Sequence, residues 1–78
     1  MSNLEKYNNA FVTALGVDES VLEGLNYQEV TEWDSVGHMN LVAEIEDAFD
    51  IMFETDDIID FSSYVKGKEI LAKYDVEI

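Results

Sequence analysis

A chain of 78 residues with no cysteine and no proline has only its own side-chain packing to hold it together. At this size a single core is marginal, and small domains commonly add disulfides or a structural metal. Without cysteine, neither a disulfide framework nor a thiolate metal site is available. The packing must therefore be efficient. Four glycines and no proline punctuate the chain sparingly, which suits helices joined by few sharp turns. Hydrophobic residues make up 47% of the sequence, enough to build a core and too many for intrinsic disorder. One domain over residues 1–78 is expected.

Charge constrains the partners. Eighteen acidic residues face four lysines and no arginine, a formal net charge of −14. The lysines are Lys6, Lys66, Lys68 and Lys73, so the stretch from Tyr7 to Val65 has no basic side chain but fourteen carboxylates. Nucleic acid and anionic membrane surfaces are not expected as partners, since their phosphates would be repelled. Such a field steers basic protein surfaces into contact; the plainer alternative is a solvating surface. No apolar run is long enough to span a membrane, and Met1-Ser2-Asn3-Leu4-Glu5 lacks the basic and apolar regions of a signal peptide. A cytoplasmic monomer without membrane insertion is expected.

The hydrophobic pattern predicts an all-α chain with no strand. Ser2-x-x-Glu5 is a capping box ahead of Leu4, Tyr7, Phe11 and Leu15 at helical spacing, and Gly16 is a natural stop, giving a first helix over about residues 3–15. Residues 17–33 have no sustained period. They carry Val21, Leu22, Leu25, Tyr27, Val30 and Trp33, so this long connection is expected to lie on the core, with a short helical turn. A second helix is predicted from Ser35 to about Asp50. Thr55 is expected to cap the short acidic turn Asp56-Asp57-Ile58-Ile59-Asp60. Ser62 or Ser63 opens a last helix with Tyr64, Leu71 and Tyr74 on one face and Ile70 beside them. Its lysines are partly suited to the negative end of the helix dipole. The expected fold is a small four-helix bundle with a long first loop and a short third helix.

The segment Trp33-Asp34-Ser35-Val36 opens the second helix. Asp34 is predicted to be its N-cap, accepting hydrogen bonds from first-turn amides. That places the Ser35 hydroxyl beside the positive end of the dipole, where a phosphate is favoured. Along the helix, Leu41, Val42, Ile45, Ala48 and Phe49 form one broad arc, the predicted core face. Val36, Met39 and Ala43 form a second arc flanked by Glu46, Asp47 and Asp50. A little apolar area with steering charge is what transient docking of a basic partner requires; the alternative is that Val36 and Met39 pack on the long connection.

Asp34-Ser35-Val36, followed by Met39, Leu41, Val42, Ile45, Glu46, Asp47, Phe49 and Asp50, resembles the Asp-Ser-Leu segment and second helix of acyl carrier proteins. The resemblance extends over essentially the whole chain through its length, acidity, long first loop and short third helix. It implies an acyl-carrier-like domain that is no enzyme and has no catalytic residue. Ser35 would bear covalent 4′-phosphopantetheine derived from coenzyme A, with acyl groups held as thioesters on the terminal thiol. It further implies a phosphopantetheinyl transferase and acyl-loading and acyl-processing enzymes with basic docking patches as partners. They would recognise Val36, Met39, Ala43, Glu46 and Asp47. The chain departs from the fatty-acid carriers at Val36, where leucine is typical, at Asn40, where an acid is common, and at Glu54, where proline is frequent. Specialised polyketide, peptide-linked or surface-glycan chemistry thus stands beside fatty-acid synthesis.

Other readings are weaker. Ser35 and His38 could form a nucleophile and base, but no third group or oxyanion loop accompanies them; His38 reads better as a neutral polar residue beside the attachment site. The carboxylates at 47, 50, 54, 56, 57 and 60 do not follow the calcium-loop pattern, so no metal site is expected. The main rival is a cofactor-free acidic module for protein–protein interaction. Both readings share one consequence. Fourteen uncompensated carboxylates repel one another in the compact state, so added salt should raise the melting temperature in a low-ionic-strength buffer. A flat thermal-melt response to salt would mean that the charges are too dispersed to interact.

Overall fold

The computed structural model describes residues 2–78 as four α-helices in the order α1 (Asn3–Leu15), α2 (Ser35–Phe49), α3 (Thr55–Asp60) and α4 (Tyr64–Ala72). No strand occurs among the described residues; Asn26 and Ser63 form one isolated antiparallel bridge. The all-helical reading of the sequence therefore holds.

The start of α1 follows its local chemistry. The Ser2 hydroxyl accepts from the Glu5 amide, and the Glu5 carboxylate accepts in return from the Ser2 amide, closing the capping box. Gly16 ends the helix in the left-handed region at φ 66°, a conformation that costs glycine little. Tyr7, Ala10, Phe11 and Leu15 are buried. Leu4, expected on the same face, is 41% exposed because it lies at the helix end, beyond the edge of the core.

The long connection does lie on the core. Asp18 caps a single 3-10 turn at Glu19–Val21. Leu22, Leu25 and Trp33 are buried, and Tyr27 and Val30 are half-buried, while Val21 faces outward. Backbone bonds from the Tyr27 amide to the Ser62 carbonyl (2.8 Å) and from the Tyr64 amide to the Leu25 carbonyl (2.9 Å) pin this connection to the link between α3 and α4.

Two boundaries differ from expectation. Glu54, not Thr55, is the N-cap of α3, and its side chain makes no capping bond; Thr55 is the first helical residue. Ser63, one of the two serines expected to open α4, caps it through the Lys66 amide, but the helix stops at Ala72, leaving Tyr74 in the following turn. No lysine occupies the last turn of α4. Lys66 approaches Glu69, Lys68 lies over the Tyr64 ring at 4.7 Å, and Lys73 reaches across to α3.

The interior is unusually aromatic for a chain this short. Phe11 meets the rings of Tyr7, Trp33, Phe61 and Tyr64 at centroid distances of 5.1–6.2 Å. The Tyr7 hydroxyl donates to the Tyr64 carbonyl (2.6 Å), and burial pushes its pKa well above the usual tyrosine range. Gly67 permits this crossing of α1 and α4, since a Cβ there would collide with the Tyr7 hydroxyl and the Phe61 ring.

One carboxylate is buried. Asp57, 5% exposed, accepts from Lys73 Nζ through one oxygen and from the Tyr74 hydroxyl through the other, both at 2.5 Å. The same Tyr74 oxygen accepts from the Glu54 amide (2.9 Å), the N-cap of the helix that carries Asp57. A six-residue helix has almost no stability of its own, so this network fastens α3 to the end of α4. The Lys73 hydrogen bond, then that of Tyr74, holds the Asp57 carboxyl below the usual carboxylate range. A depressed folded value gives stability that is complete above the unfolded pKa and is lost as pH falls through the folded one. Acid melts of the native chain should accordingly steepen below about pH 4. Asp57→Asn should lower the melting temperature at neutral pH and show a shallower acid limb; parallel acid limbs for the two proteins would mean that the network is not coupled to folding.

Candidate functional site

The first turn of α2 is assembled from the end of the long connection. Asp34, extended at φ −102°, accepts from the Gly37 amide through its side chain (2.8 Å) and from the His38 amide through its carbonyl (2.8 Å). It is the N-cap that the sequence predicts. The first four amides of a helix, here those of Asp34 to Gly37, have no intrahelical partner; the Asp34 side chain takes that of Gly37 and leaves those of Ser35 and Val36. Ser35 is exposed as the first helical residue. A hydroxyl beside outward amides at the positive end of a helix suits a bound or attached anion.

Trp33 holds that turn in place. It immediately precedes the cap, and its ring stacks on His38, five residues on, with centroids 6.2 Å apart and planes 19° from parallel. This is the spacing of a hydrophobic staple, the residue before the cap packing on the fourth helical residue. Trp33 Nε1 also donates to His38 Nδ1 (2.9 Å), so that nitrogen carries a lone pair. His38 Nε2 lies 2.8 Å from the Ile58 carbonyl, which can only accept, and must therefore carry the proton. His38 is thus a neutral imidazole with its tautomer fixed by two partners, and neither nitrogen is free to deprotonate Ser35. The serine–histidine hydrolase reading has no base.

Gly37 has a role that periodicity does not reveal. A glycine inside a helix ordinarily only weakens it. In the structure Gly37 is buried, and a Cβ would collide with the Glu32 carbonyl and sit 3.2 Å from Leu15 Cδ2. The connection crosses the helix directly at this glycine.

The outer face of α2 separates as expected from the inner one. Leu41, Val42 and Ile45 are buried, and Ala48 and Phe49 are half-buried. Val36 is 69% exposed, Met39 54%, and Ala43 is also exposed, so these residues do not pack on the long connection. Asp47 stands in solvent beside them. Glu46 differs: it is half-buried, and its carboxylate accepts from the Phe53 amide (2.8 Å), securing the loop after α2. That loop leaves the helix through Asp50 in the left-handed region, φ 53°.

Among the described residues, no three His, Asp or Glu side chains come together as metal ligands, and no helix is long and apolar enough to cross a membrane. Gly37→Ala tests the crossing. Overpacking at such a contact costs about 1–3 kcal/mol, so the variant should melt markedly lower. Fluorescence of Trp33, the single tryptophan, should shift as its pocket is displaced. An unaltered spectrum and melt would mean that the connection yields without cost. Compared with known protein-family models, curated proteins and solved structures, the chain matches none of them.

Proposed function

We propose that this domain is a carrier: Ser35 receives 4′-phosphopantetheine from coenzyme A through a phosphopantetheinyl transferase, and acyl groups travel on it as thioesters between partner enzymes. The observation that carries the reading is the exposed Ser35 hydroxyl at the start of α2, beside two first-turn amides that Asp34 leaves over. The resemblance of Asp34-Ser35-Val36 and the helix after it to acyl carriers supports the same site. A phosphodiester on Ser35 would keep one negative charge at the helix N-terminus, where amides and dipole favour it.

The prosthetic group supplies the thiol that this cysteine-free chain lacks. The protein's own residues orient and present. Asp34 fixes the first turn, Trp33 and Gly37 seat the connection beneath it, and Val36, Met39 and Ala43 offer apolar contact to a partner with a basic patch. Asp47 adds long-range attraction. Glu46, already engaged by Phe53, contributes charge but not a free side chain. The domain itself catalyses nothing; tethering raises the effective concentration of a bound intermediate at successive active sites. Fatty-acid and specialised pathways, polyketide or surface-glycan acylation among them, are equally served by this arrangement.

Intact mass spectrometry after incubation with a phosphopantetheinyl transferase, magnesium and coenzyme A should show the gain of one phosphopantetheine in the native chain and none in Ser35→Ala. Reversing Asp47 to lysine should slow that modification chiefly at low salt, because it alters steering rather than the acceptor. No gain by a folded native chain would remove the carrier reading and leave a cofactor-free acidic interaction module.

A further inference from the structure

Trp33 Nε1, the His38 ring and the Ile58 carbonyl form a relay that depends on one bare lone pair, that of His38 Nδ1. The indole can only donate, so it needs that acceptor. Nor can it turn away. Trp33 is fully buried and held edge-on by Phe11 (5.4 Å), Tyr27 (6.0 Å) and Phe61 (6.3 Å). At interior packing density none of these rings moves without displacing the next. The imidazole, by contrast, is half-buried. It is the partner that a proton reaches and the one able to move.

The ring's neighbours are mostly aromatic. From the long connection it meets Trp33 and Tyr27, the latter at 5.4 Å between centroids, and from the link after α3 it meets Phe61 at 5.9 Å. Tyr27 is the titratable group among them. One turn back on α2, the Asp34 side chain is taken by the Gly37 amide. On α3, Asp56 and Asp60 are exposed, and Asp57 is turned to Lys73 and Tyr74. The ion pairs among the described residues are Lys66–Glu69 and Lys73–Asp57, so no carboxylate pairs with the imidazole.

We propose that this relay is a proton-operated latch: uptake of one proton at His38 Nδ1 unties α3 from the tryptophan that seats the first turn of α2. The new N–H faces the indole N–H, donor against donor. Either the ring swings into solvent and drops the Ile58 carbonyl, or it keeps that carbonyl and draws α3 away with it. In both cases Trp33 and α3 part. The opening is local. The Asp57 network still ties α3 to the end of α4, and the backbone bonds of Tyr27 with Ser62 and of Tyr64 with Leu25 carry no titratable group. Imidazoles exchange a proton between about pH 5 and 8, above the range of carboxylates, so the latch opens before the Asp57 network is lost. It goes beyond the carrier reading and does not depend on it.

The chain has one histidine and one tryptophan, so NMR reads both rings without ambiguity. At about pH 8 the imidazole nitrogens should report a single tautomer, with Nδ1 bare and Nε2 protonated. As the pH falls to about 5, both should become protonated, and the indole N–H signal should shift with the same midpoint. The Phe61 amide, which closes α3 on the Asp57 carbonyl, should lose hydrogen-exchange protection over the same range. An indole or a Phe61 amide that stays fixed while the imidazole titrates overturns the latch. So does an imidazole that remains neutral until the whole chain melts in acid.

Variants separate the latch from other effects of acid. His38→Gln keeps a side chain that both accepts and donates but does not titrate, and its indole signal should stay flat from about pH 8 to 5. A transition that persists there belongs to another group and overturns the proposal. Trp33→Phe removes the opposing donor, so the midpoint of the His38 ring should rise; an unchanged midpoint overturns the proposal from the other side. Asp57→Asn leaves the relay intact and should keep the native midpoint. Loss of the transition in that variant would assign it to the Asp57 network instead.

Discussion

Three segments of the chain converge on one imidazole. The indole of Trp33 is a donor only, is wholly buried, and finds its acceptor in His38 Nδ1. That bond commits His38 Nε2 to donate, and the Ile58 carbonyl of α3 receives it. The end of the long connection, the first turn of α2 and the short third helix are thereby locked into one arrangement. A buried N–H left without a partner costs about 1–3 kcal/mol, a sizeable part of the stability of a domain this small. Removing His38 would also cost α3 one of its anchors, the Asp57 network on Lys73 and Tyr74 being another.

About a third of the acidity, six of the eighteen carboxylates, proves architectural. Glu5, Asp18 and Asp34 cap helices, Glu29 accepts from the Asn26 amide, Glu46 holds the Phe53 amide, and Asp57 accepts from Lys73 and Tyr74. In a chain without cysteine to staple it, these carboxylates serve as acceptors for stray amides at helix starts and in loops. The negative field around the domain is the sum of these groups and of others, such as Asp47 and Asp56, that stand in solvent. Net charge alone therefore overstates how much of the surface is shaped for a partner. Glu46 illustrates the difference: its position on the helix wheel marks it as a docking residue, yet its carboxylate closes a loop.

What could be read from the sequence was local. The capping box at Ser2 and Glu5, the glycine stop at residue 16 and the Asp34 cap each depend on residues within one turn of one another, and each is present. The two faces of α2 follow from a single period. What escaped depends on contacts between segments distant in the chain. Gly37 reads as a weak helix residue until the Glu32 carbonyl crosses it, Lys73 reads as a dipole charge until Asp57 faces it, and Tyr74 falls outside a helix that stops early. The Trp33–His38 pair lay between these cases. Its staple spacing is visible in the sequence, but an imidazole is not an obvious apolar partner, and the carbonyl that fixes its tautomer belongs to α3.

The geometry of α2 also sets two unlike surfaces on either side of Ser35. At about 100° per residue, Ser35 projects between the outward stripe of Val36, Met39 and Ala43 and the inward line of His38 and Val42. The Ser35 side chain thus has the exposed apolar stripe on one side and, on the other, a groove lined by His38, Ile58 and Ile59. Because His38 and Gly37 anchor that first turn to the connection beneath it, the two sides keep a fixed relation to the serine. Substitutions along the stripe can then change that surface without disturbing the packed side of the same helix.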